Sequence, residues 1–241
     1  MTVSLKSRPM SPEPDHPHLR PTAPLAERVL LPGDPGRALA LAQALLVEPR
    51  MFNHNRGLWG YTGGAPDGEP LTIQSTGLGG PSAAIVLTEL IAMGARRAIR
   101  VGTCGALDPA LELGELVIAS EAICADGTSR ALGAGERQPA DAALTAALQE
   151  QAPQARAGAV VSVDLFYEEG SPGRGLAGLA VEMEAATLFA LGAFKAVPVA
   201  CLLTVSDTFA ADGARRRIDD EHLLEASREM GAVAIAALSE R

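Results

Sequence analysis

Residues 96–106 read Arg-Arg-Ala-Ile-Arg-Val-Gly-Thr-Cys-Gly-Ala, and this stretch predicts both a buried strand and a binding site. The apolar residues indicate a strand over Ala98–Val101, with Arg100 near its end. Thr103 follows in a segment flanked by glycines. A fixed guanidinium, a hydroxyl and uncovered backbone amides are the groups that bind an oxyanion such as phosphate. The stretch therefore predicts a small anionic substrate.

The overall composition excludes several other classes of partner. The chain has 241 residues, of which 47% are hydrophobic, so a substantial core can form. The net charge of −9 argues against nucleic acid or an anionic membrane as a partner. Cys104, Cys124 and Cys201 are widely spaced, which predicts neither a disulfide framework nor a zinc site and suits a reducing cytoplasm.

The N-terminal residues differ from the rest of the chain. Residues 1–24 contain six prolines and little apolar material, and we predict that 1–15 is a disordered tail and that 16–241 forms one domain. No signal-peptide pattern is visible, and no run of about 18 apolar residues occurs. We therefore expect a cytoplasmic protein without a membrane-spanning segment.

Strand and helix patterns alternate along the remaining chain. Predicted strands are Arg28–Leu31, Leu71–Ser75, Ala98–Val101, Glu115–Ser120, Ala157–Val163, Leu179–Met183 and Pro198–Val205. Predicted helices are Gly36–Leu46, a segment opened by Pro81 and closed by Gly94, Asp141–Gln151, Ala185–Lys195 and 219–239. This alternation predicts an α/β fold with a mainly parallel or mixed sheet in one domain.

Polar and glycine residues follow the carboxyl ends of the predicted strands, where ligands of open α/β sheets bind. They are Gly33, Asp34, Arg37, the glycine loop 76–80, Arg100, Thr103, Asp164, Phe166, Tyr167, Glu182, Met183, Glu184, Ser206 and Asp207. Several have alternatives: Gly33 could only form a turn, Arg37 could be a solvated helix charge, and the glycine loop is not a dinucleotide fingerprint.

The charged members of this set are the most informative. Arg100 lies within an apolar strand, and an unpaired buried charge there would be costly. Glu182 and Glu184 share one face of a strand, which indicates either a solvated edge strand or carboxylates that bind a polyol. Asp207 ends an apolar strand and could cap the next segment or donate a proton to a substrate.

The aromatic pair Phe166 and Tyr167 could belong to the core or stack on a ring. His18 in the proline-rich arm and Arg56 in Asn55-Arg56-Gly57 lie outside the predicted strand ends. Their residue types alone leave both roles open.

Taken in order, these segments resemble the hexameric nucleoside phosphorylases over nearly the whole chain after the tail. The matching segments are 31–37 (Leu-Pro-Gly-Asp-Pro-Gly-Arg), 55–57 (Asn-Arg-Gly), 77–82 (Gly-Leu-Gly-Gly-Pro-Ser), 100–106 (Arg-Val-Gly-Thr-Cys-Gly-Ala), 164–167 (Asp-Leu-Phe-Tyr), 181–185 (Val-Glu-Met-Glu-Ala) and 205–207 (Val-Ser-Asp). Within the family, the chain looks most like bacterial purine nucleoside phosphorylases and the related methylthioadenosine phosphorylases.

The resemblance implies a three-layer α/β/α fold with a mixed sheet, and phosphorolysis of purine nucleosides in purine salvage. It implies that inorganic phosphate is a co-substrate and that no metal or cofactor is needed. It assigns phosphate binding to Gly33, Arg37, Arg100, Thr103 and a neighbouring subunit's Arg56. It assigns nucleoside binding to His18, Cys104, Gly105, Phe166, Glu182, Met183, Glu184 and Ser206.

In the same resemblance, Asp207 protonates the purine N7, Glu184 and Met183 contact the ribose, and His18 reaches a partner's ribose 5′ end. The implied assembly is a homohexamer, a trimer of dimers with shared active sites. Arg215, Arg216 and Arg217 follow at an unfamiliar spacing, so the arginine that assists Asp207 is not assigned. A 5′-methylthioadenosine phosphorylase, a uridine phosphorylase and a non-catalytic purine sensor remain alternatives.

Overall fold

The computed structural model describes residues 17–167, 173, 175–209 and 214–239, and the predicted tail 1–15 lies outside them. The strands are β1 (Arg28–Leu31), β2 (Val47–Asn53), β3 (Gly60–Gly64), β4 (Pro70–Gln74), β5 (Arg97–Ala106), β6 (Leu116–Cys124), β7 (Arg137–Pro139), β8 (Arg156–Ser162), β9 (Ala180–Glu182), β10 (Val199–Phe209) and β11 (Arg215–Arg217). The helices are α1 (Pro35–Leu45), α2 (Gly79–Met93), α3 (Gly127–Ala131), α4 (Ala142–Gln151), α5 (Ala185–Lys195) and α6 (Asp220–Ser239).

The sheet is mixed, and part of it closes into a ring. β4, β1, β5 and β10 are parallel neighbours, so their carboxyl ends meet at one edge. β10 pairs with β6, β6 with β8, β8 with β9, and β9 with β5, which closes a ring of strands. The antiparallel strands β2 and β3 extend the sheet beyond β4. The ring brings distant parts of the chain to the carboxyl ends of β5 and β10.

Helices cover the sheet in two groups, which confirms the three-layer prediction. α2, α3 and α5 pack against one another, and α1, α4 and α6 form the other group. One apolar cluster contains Leu87 and Leu188, whereas a second contains Leu41, Leu148 and Met230. None of the helices in the described ranges is long and apolar enough to cross a membrane.

Short-range signals set most helix boundaries as predicted. The Asp34 side chain accepts a hydrogen bond from the Arg37 backbone at the start of α1, and Asp141 caps α4 in the same way. Gly94 has a φ of +118° and ends α2, a conformation that a glycine adopts without a steric penalty. α5 has the predicted bounds, whereas α2 begins at Gly79, before Pro81.

The strands differ more from the predictions. β5 continues to Ala106 and β10 to Phe209, so Thr103 and Asp207 lie within strands rather than after them, whereas Arg100 lies within its strand as predicted. The sequence analysis did not predict β2, β3, β7 or β11. The first five residues of β2 are exposed, and β3 ends in two glycines, so neither shows an alternating apolar pattern.

Candidate active site

A cleft of about 680 Å³ opens at the carboxyl ends of β1, β5 and β10. The predicted site residues that line it are Gly33, Arg37, Arg100, Thr103, Cys104, Gly105, Phe166, Glu182, Met183, Glu184, Ser206 and Asp207. His18 and Arg56 are not among its lining residues. The fold therefore gathers in one place nearly all the residues that the sequence placed near strand ends.

Arg100 lies at the floor of the cleft with its guanidinium held on two sides. Its Nε donates to Glu182 Oε2 at 3.0 Å, and its Nη2 forms an ion pair with Glu184. A Cβ on Gly102 would lie 2.8 Å from the guanidinium carbon, so a glycine is needed beneath it. Nη1 is buried and has no hydrogen-bond partner in the described part of the chain. A Cβ on Gly33 would lie 3.9 Å from it.

Glu182 fixes the Arg100 side chain and is itself held by hydrogen bonds. Its carboxylate accepts hydrogen bonds from the backbone nitrogens of Glu184 and Ala185 at 2.9 Å, and also from the Ser162 hydroxyl. β9 lies between β5 and β8, so the interpretation of this segment as a solvated edge strand is wrong. Because its oxygens are engaged by protein groups, the contact of Glu182 with a nucleoside stays a prediction.

Glu184 faces the cleft beside Arg100 and is buried. Burial raises the pKa of Glu184, and the neighbouring Arg100 opposes that rise. The backbone N–H of Gly79, in the glycine loop, donates to its other carboxylate oxygen. The glycine loop therefore orients a carboxylate at the floor of the cleft.

Asp207 also lines the cleft, beside an irregularity in β10. The pairing of β10 with β5 shifts between Val205 and Asp207, which places Ser206 in a β-bulge. The Ser206 hydroxyl donates to Asp207 Oδ2, and Arg215 Nε donates to Oδ1, both at 2.7 Å. These contacts identify Arg215 as the arginine that contacts Asp207. The segment after β10 begins at residue 210, outside the described ranges, so Asp207 as a cap of that segment stays an open alternative.

Phe166 lies beside Arg215, the residue that donates to Asp207. The guanidinium carbon of Arg215 lies 5.0 Å from the centre of the Phe166 ring, within range of a cation–π interaction. Tyr167 meets Phe166 edge-on at 5.0 Å between ring centres and is 90% exposed. The pair is therefore not part of the core, and both residues line the cleft.

The part of the cleft around Arg37 is cationic. Arg37 extends from the first turn of α1, where Asp34 accepts a hydrogen bond from its backbone nitrogen. Burial lowers the pKa of Arg37, and the positive charges of Arg100 and Arg217 lower it further, against the opposing effect of Asp34. This part of the cleft can hold an anion.

Besides Arg215, three groups of the cleft were missed or left without a role by the sequence analysis. The backbone N–H of Gly79, in the predicted glycine loop, and the hydroxyl of Ser162 bind the two glutamates, but neither residue type by itself indicates such a role. Arg217 lines the cleft and belongs to a run of three arginines whose individual directions the sequence does not show.

His18 and Arg56 lie together, away from this chain's own cleft. His18 Nδ1 is 2.7 Å from Glu89 Oε1, and the Asn55 side chain donates to the His18 carbonyl at 3.0 Å. Arg56 is exposed in a 3₁₀ turn and has a φ of +57°, a left-handed conformation that is rare for arginine. The arm and the Arg56 turn thus form one exposed corner of the molecule.

Comparison with known proteins agrees with this geometry. Residues 27–239 match the Phosphorylase superfamily. The chain is 37% identical over 201 residues to a DeoD-type purine nucleoside phosphorylase of Alkaliphilus metalliredigens, covering 78% of this chain and 85% of that protein. It is 35% identical over 212 residues to a guanosine phosphorylase of Halorubrum lacusprofundi, covering 84% and 87%.

A solved structure shows the same fold. The crystal structure of uridine phosphorylase from Vibrio fischeri matches with a TM-score of 0.78 and 25% identity, over 90% of this chain and 93% of that one. The fold and the site thus define an enzyme, a pentosyltransferase of the nucleoside phosphorylase class. The chain belongs to the phosphorylase superfamily.

Proposed function

We propose that this protein catalyses the reversible phosphorolysis of purine ribonucleosides and deoxyribonucleosides, a reaction of purine salvage. The observation that carries the proposal is the buried Nη1 of Arg100, which lacks a hydrogen-bond partner in the described chain and lies beside Gly33 at the cleft floor. An unsatisfied buried donor is costly, and a phosphate oxygen would satisfy it. Thr103 and Arg37 line the same cleft.

The proposed reaction uses the groups that line the cleft. A phosphate oxygen bonds to C1′ of the sugar while the bond from C1′ to N9 breaks, and the bond's electron pair leaves with the base. Positive charge develops on the sugar, as in glycoside cleavage, and the bound phosphate stabilises it. Asp207 gives a proton to N7 of the leaving base. Glu184 and Met183 contact the ribose hydroxyls, and Phe166 lies beside the base.

A purine substrate is favoured over a pyrimidine for a chemical reason. In the proposed reaction Asp207, positioned by Ser206 and Arg215, gives a proton to N7 of the leaving base, and uracil has no N7. Two relatives carry the names purine nucleoside phosphorylase and guanosine phosphorylase, whereas the similar solved structure is a uridine phosphorylase. Comparison of inosine, adenosine, guanosine, methylthioadenosine and uridine as substrates tests the preference.

Base release is expected to require phosphate, because phosphate rather than water is the nucleophile in the proposed reaction. The measurement is release of hypoxanthine from inosine with and without inorganic phosphate, with ribose 1-phosphate measured as the second product. Equal rates in phosphate-free buffer would contradict the proposed function.

We further propose that the working unit is a homohexamer, built as a trimer of dimers, in which the corner bearing His18 and Arg56 completes a neighbour's cleft. Both residues match family positions of that kind, and neither lines the cleft of its own chain. An arginine fixed across an interface can order phosphate without a flexible loop of its own. A cytoplasmic location stays a prediction.

Mixing two inactive variants is expected to restore activity if sites are shared. Arg56→Ala and Arg100→Ala chains should each be nearly inactive, and unfolding and refolding them together should create some sites with both arginines intact. The control is each variant refolded alone, and mass measurement verifies that mixed oligomers form. Mixed oligomers without recovered activity would exclude the shared-site arrangement.

A further inference from the structure

The terminal strand β11 directs a second arginine toward the cleft. β11 pairs antiparallel with the end of β10, with Arg217 opposite Asp207 and Arg216 opposite Thr208. Opposed residues of antiparallel strands point to the same face, and successive residues alternate between faces. Arg215 and Arg217 therefore share the face of Asp207. The cleft lining agrees, because it includes Arg215 and Arg217 but not Arg216.

Arg215 and Arg217 differ in what they contact. Arg215 is hydrogen-bonded to Asp207, and this contact raises the pKa of Arg215. Within the described ranges, no hydrogen bond or ion pair joins the guanidinium of Arg217 to another residue. β11 therefore directs two arginines to the cleft: Arg215, which binds Asp207, and Arg217, which has no partner in the described part of the chain.

Three of the five carboxylates that line the cleft are engaged by arginines other than Arg37 and Arg217. Glu182 and Glu184 are engaged by Arg100, and Asp207 by Arg215. Asp34 accepts a hydrogen bond from the Arg37 backbone rather than from its guanidinium. Asp220 also lines the cleft. Arg217 is close enough to Arg37 to lower its pKa, so the two guanidinium groups repel each other across this space. A bound anion would relieve that repulsion.

We propose that Arg217 is a further phosphate-binding residue of the same chain, which contacts the anion held by Arg37 and Arg100. The inference rests on the proposed phosphorolysis and names a ligand for a residue of that site. It has a structural consequence, because β11 carries both Arg217 and the arginine that contacts Asp207. Phosphate bound to Arg217 would therefore hold β11 in the position that orients the proton donor.

Arg217→Gln tests the assignment, with Arg216→Gln as the matched control on the opposite face of the same strand. Because charge-assisted hydrogen bonds are strong, we expect Arg217→Gln to raise the KM for phosphate about tenfold or more. The KM for inosine at saturating phosphate should stay within about twofold of the wild type. Arg217→Lys should recover part of the loss, and Arg216→Gln should behave as the wild type.

A binding measurement gives a readout independent of turnover. Inorganic phosphate should raise the melting temperature of the wild-type protein and of Arg216→Gln, and much less that of Arg217→Gln at the same phosphate concentration. An unchanged KM for phosphate in Arg217→Gln, or an equal rise in Arg216→Gln, would overturn the assignment while the proposed function stands. Phosphate-independent base release by the wild type would instead overturn the proposed function, and the assignment with it.

Discussion

Replacement of Arg100 by alanine is expected to abolish saturable use of phosphate and to slow base release by about 10³-fold. The guanidinium is fixed by Glu182 and Glu184, and its remaining Nη1 is the buried donor proposed to bind phosphate. The measurement is the dependence of initial rate on phosphate concentration at saturating inosine. Arg100→Ala removes a hydrogen-bond donor that the protein already holds in position for phosphate before the reaction begins.

Arg28→Ala is the matched control for this experiment. Arg28 is also a buried arginine in an ion pair, with Asp67, and it lies at the start of β1, away from the cleft. Arg28→Ala should lower stability but leave the KM for phosphate unchanged. A folded Arg100→Ala protein with a near-normal KM for phosphate would remove Arg100 from the proposed site.

The same replacement should make stability depend strongly on pH. Without Arg100, two buried carboxylates lose their cation, which costs about 3–5 kcal/mol in comparable cases. Burial already raises the pKa of Glu184, and removal of Arg100 should raise it further. A folded-state pKa above the unfolded value gives stability at low pH that is lost as pH rises through the folded pKa. Calorimetry should therefore find Arg100→Ala closer to the wild type at pH 5 than at pH 8.

Asp207→Asn is expected to lower kcat by about 10²–10⁴-fold, the usual contribution of a general acid. The loss should be larger for adenosine than for inosine, because a 6-amino base is the poorer leaving group without protonation at N7. Asparagine keeps the size of the side chain and can still accept a hydrogen bond from Arg215. The measurement is kcat for both nucleosides at saturating phosphate.

Asp219→Asn provides the control for this substitution. Asp219 is an exposed carboxylate that precedes α6 and accepts hydrogen bonds from His222, and asparagine can replace it as a cap. It should show wild-type kinetics with both substrates. An unchanged kcat for adenosine and inosine in Asp207→Asn would exclude Asp207 from proton transfer.

The helices and the general position of the site could be predicted because their signals are local. Asp34, Gly94 and Asp141 act on the backbone within a few residues, so the chain around each of them indicates a helix boundary. The parallel arrangement of β1, β5 and β10 then brings residues after Leu31, Val101 and Val205 to one edge. Periodicity and capping were sufficient for that conclusion.

The ring of strands could not be predicted because strand pairing joins segments far apart in the chain. β9 has three residues, and its position between β5 and β8 depends on hydrogen bonds with both neighbours. That position decides that Glu182 binds Arg100 rather than facing solvent. The alternative of a solvated edge strand was open until the neighbours of β9 were known.

The sequence by itself determined the α/β class, the family resemblance and many of the residues that line the cleft. The tertiary structure decided which charged side chains contact each other. The β-bulge at Ser206 and the register of β11 against β10 together place Arg215 on Asp207 and leave Arg217 facing the cleft. Three consecutive arginines look alike in a sequence, and alternation of side chains separates them only when the strand's partner and register are fixed.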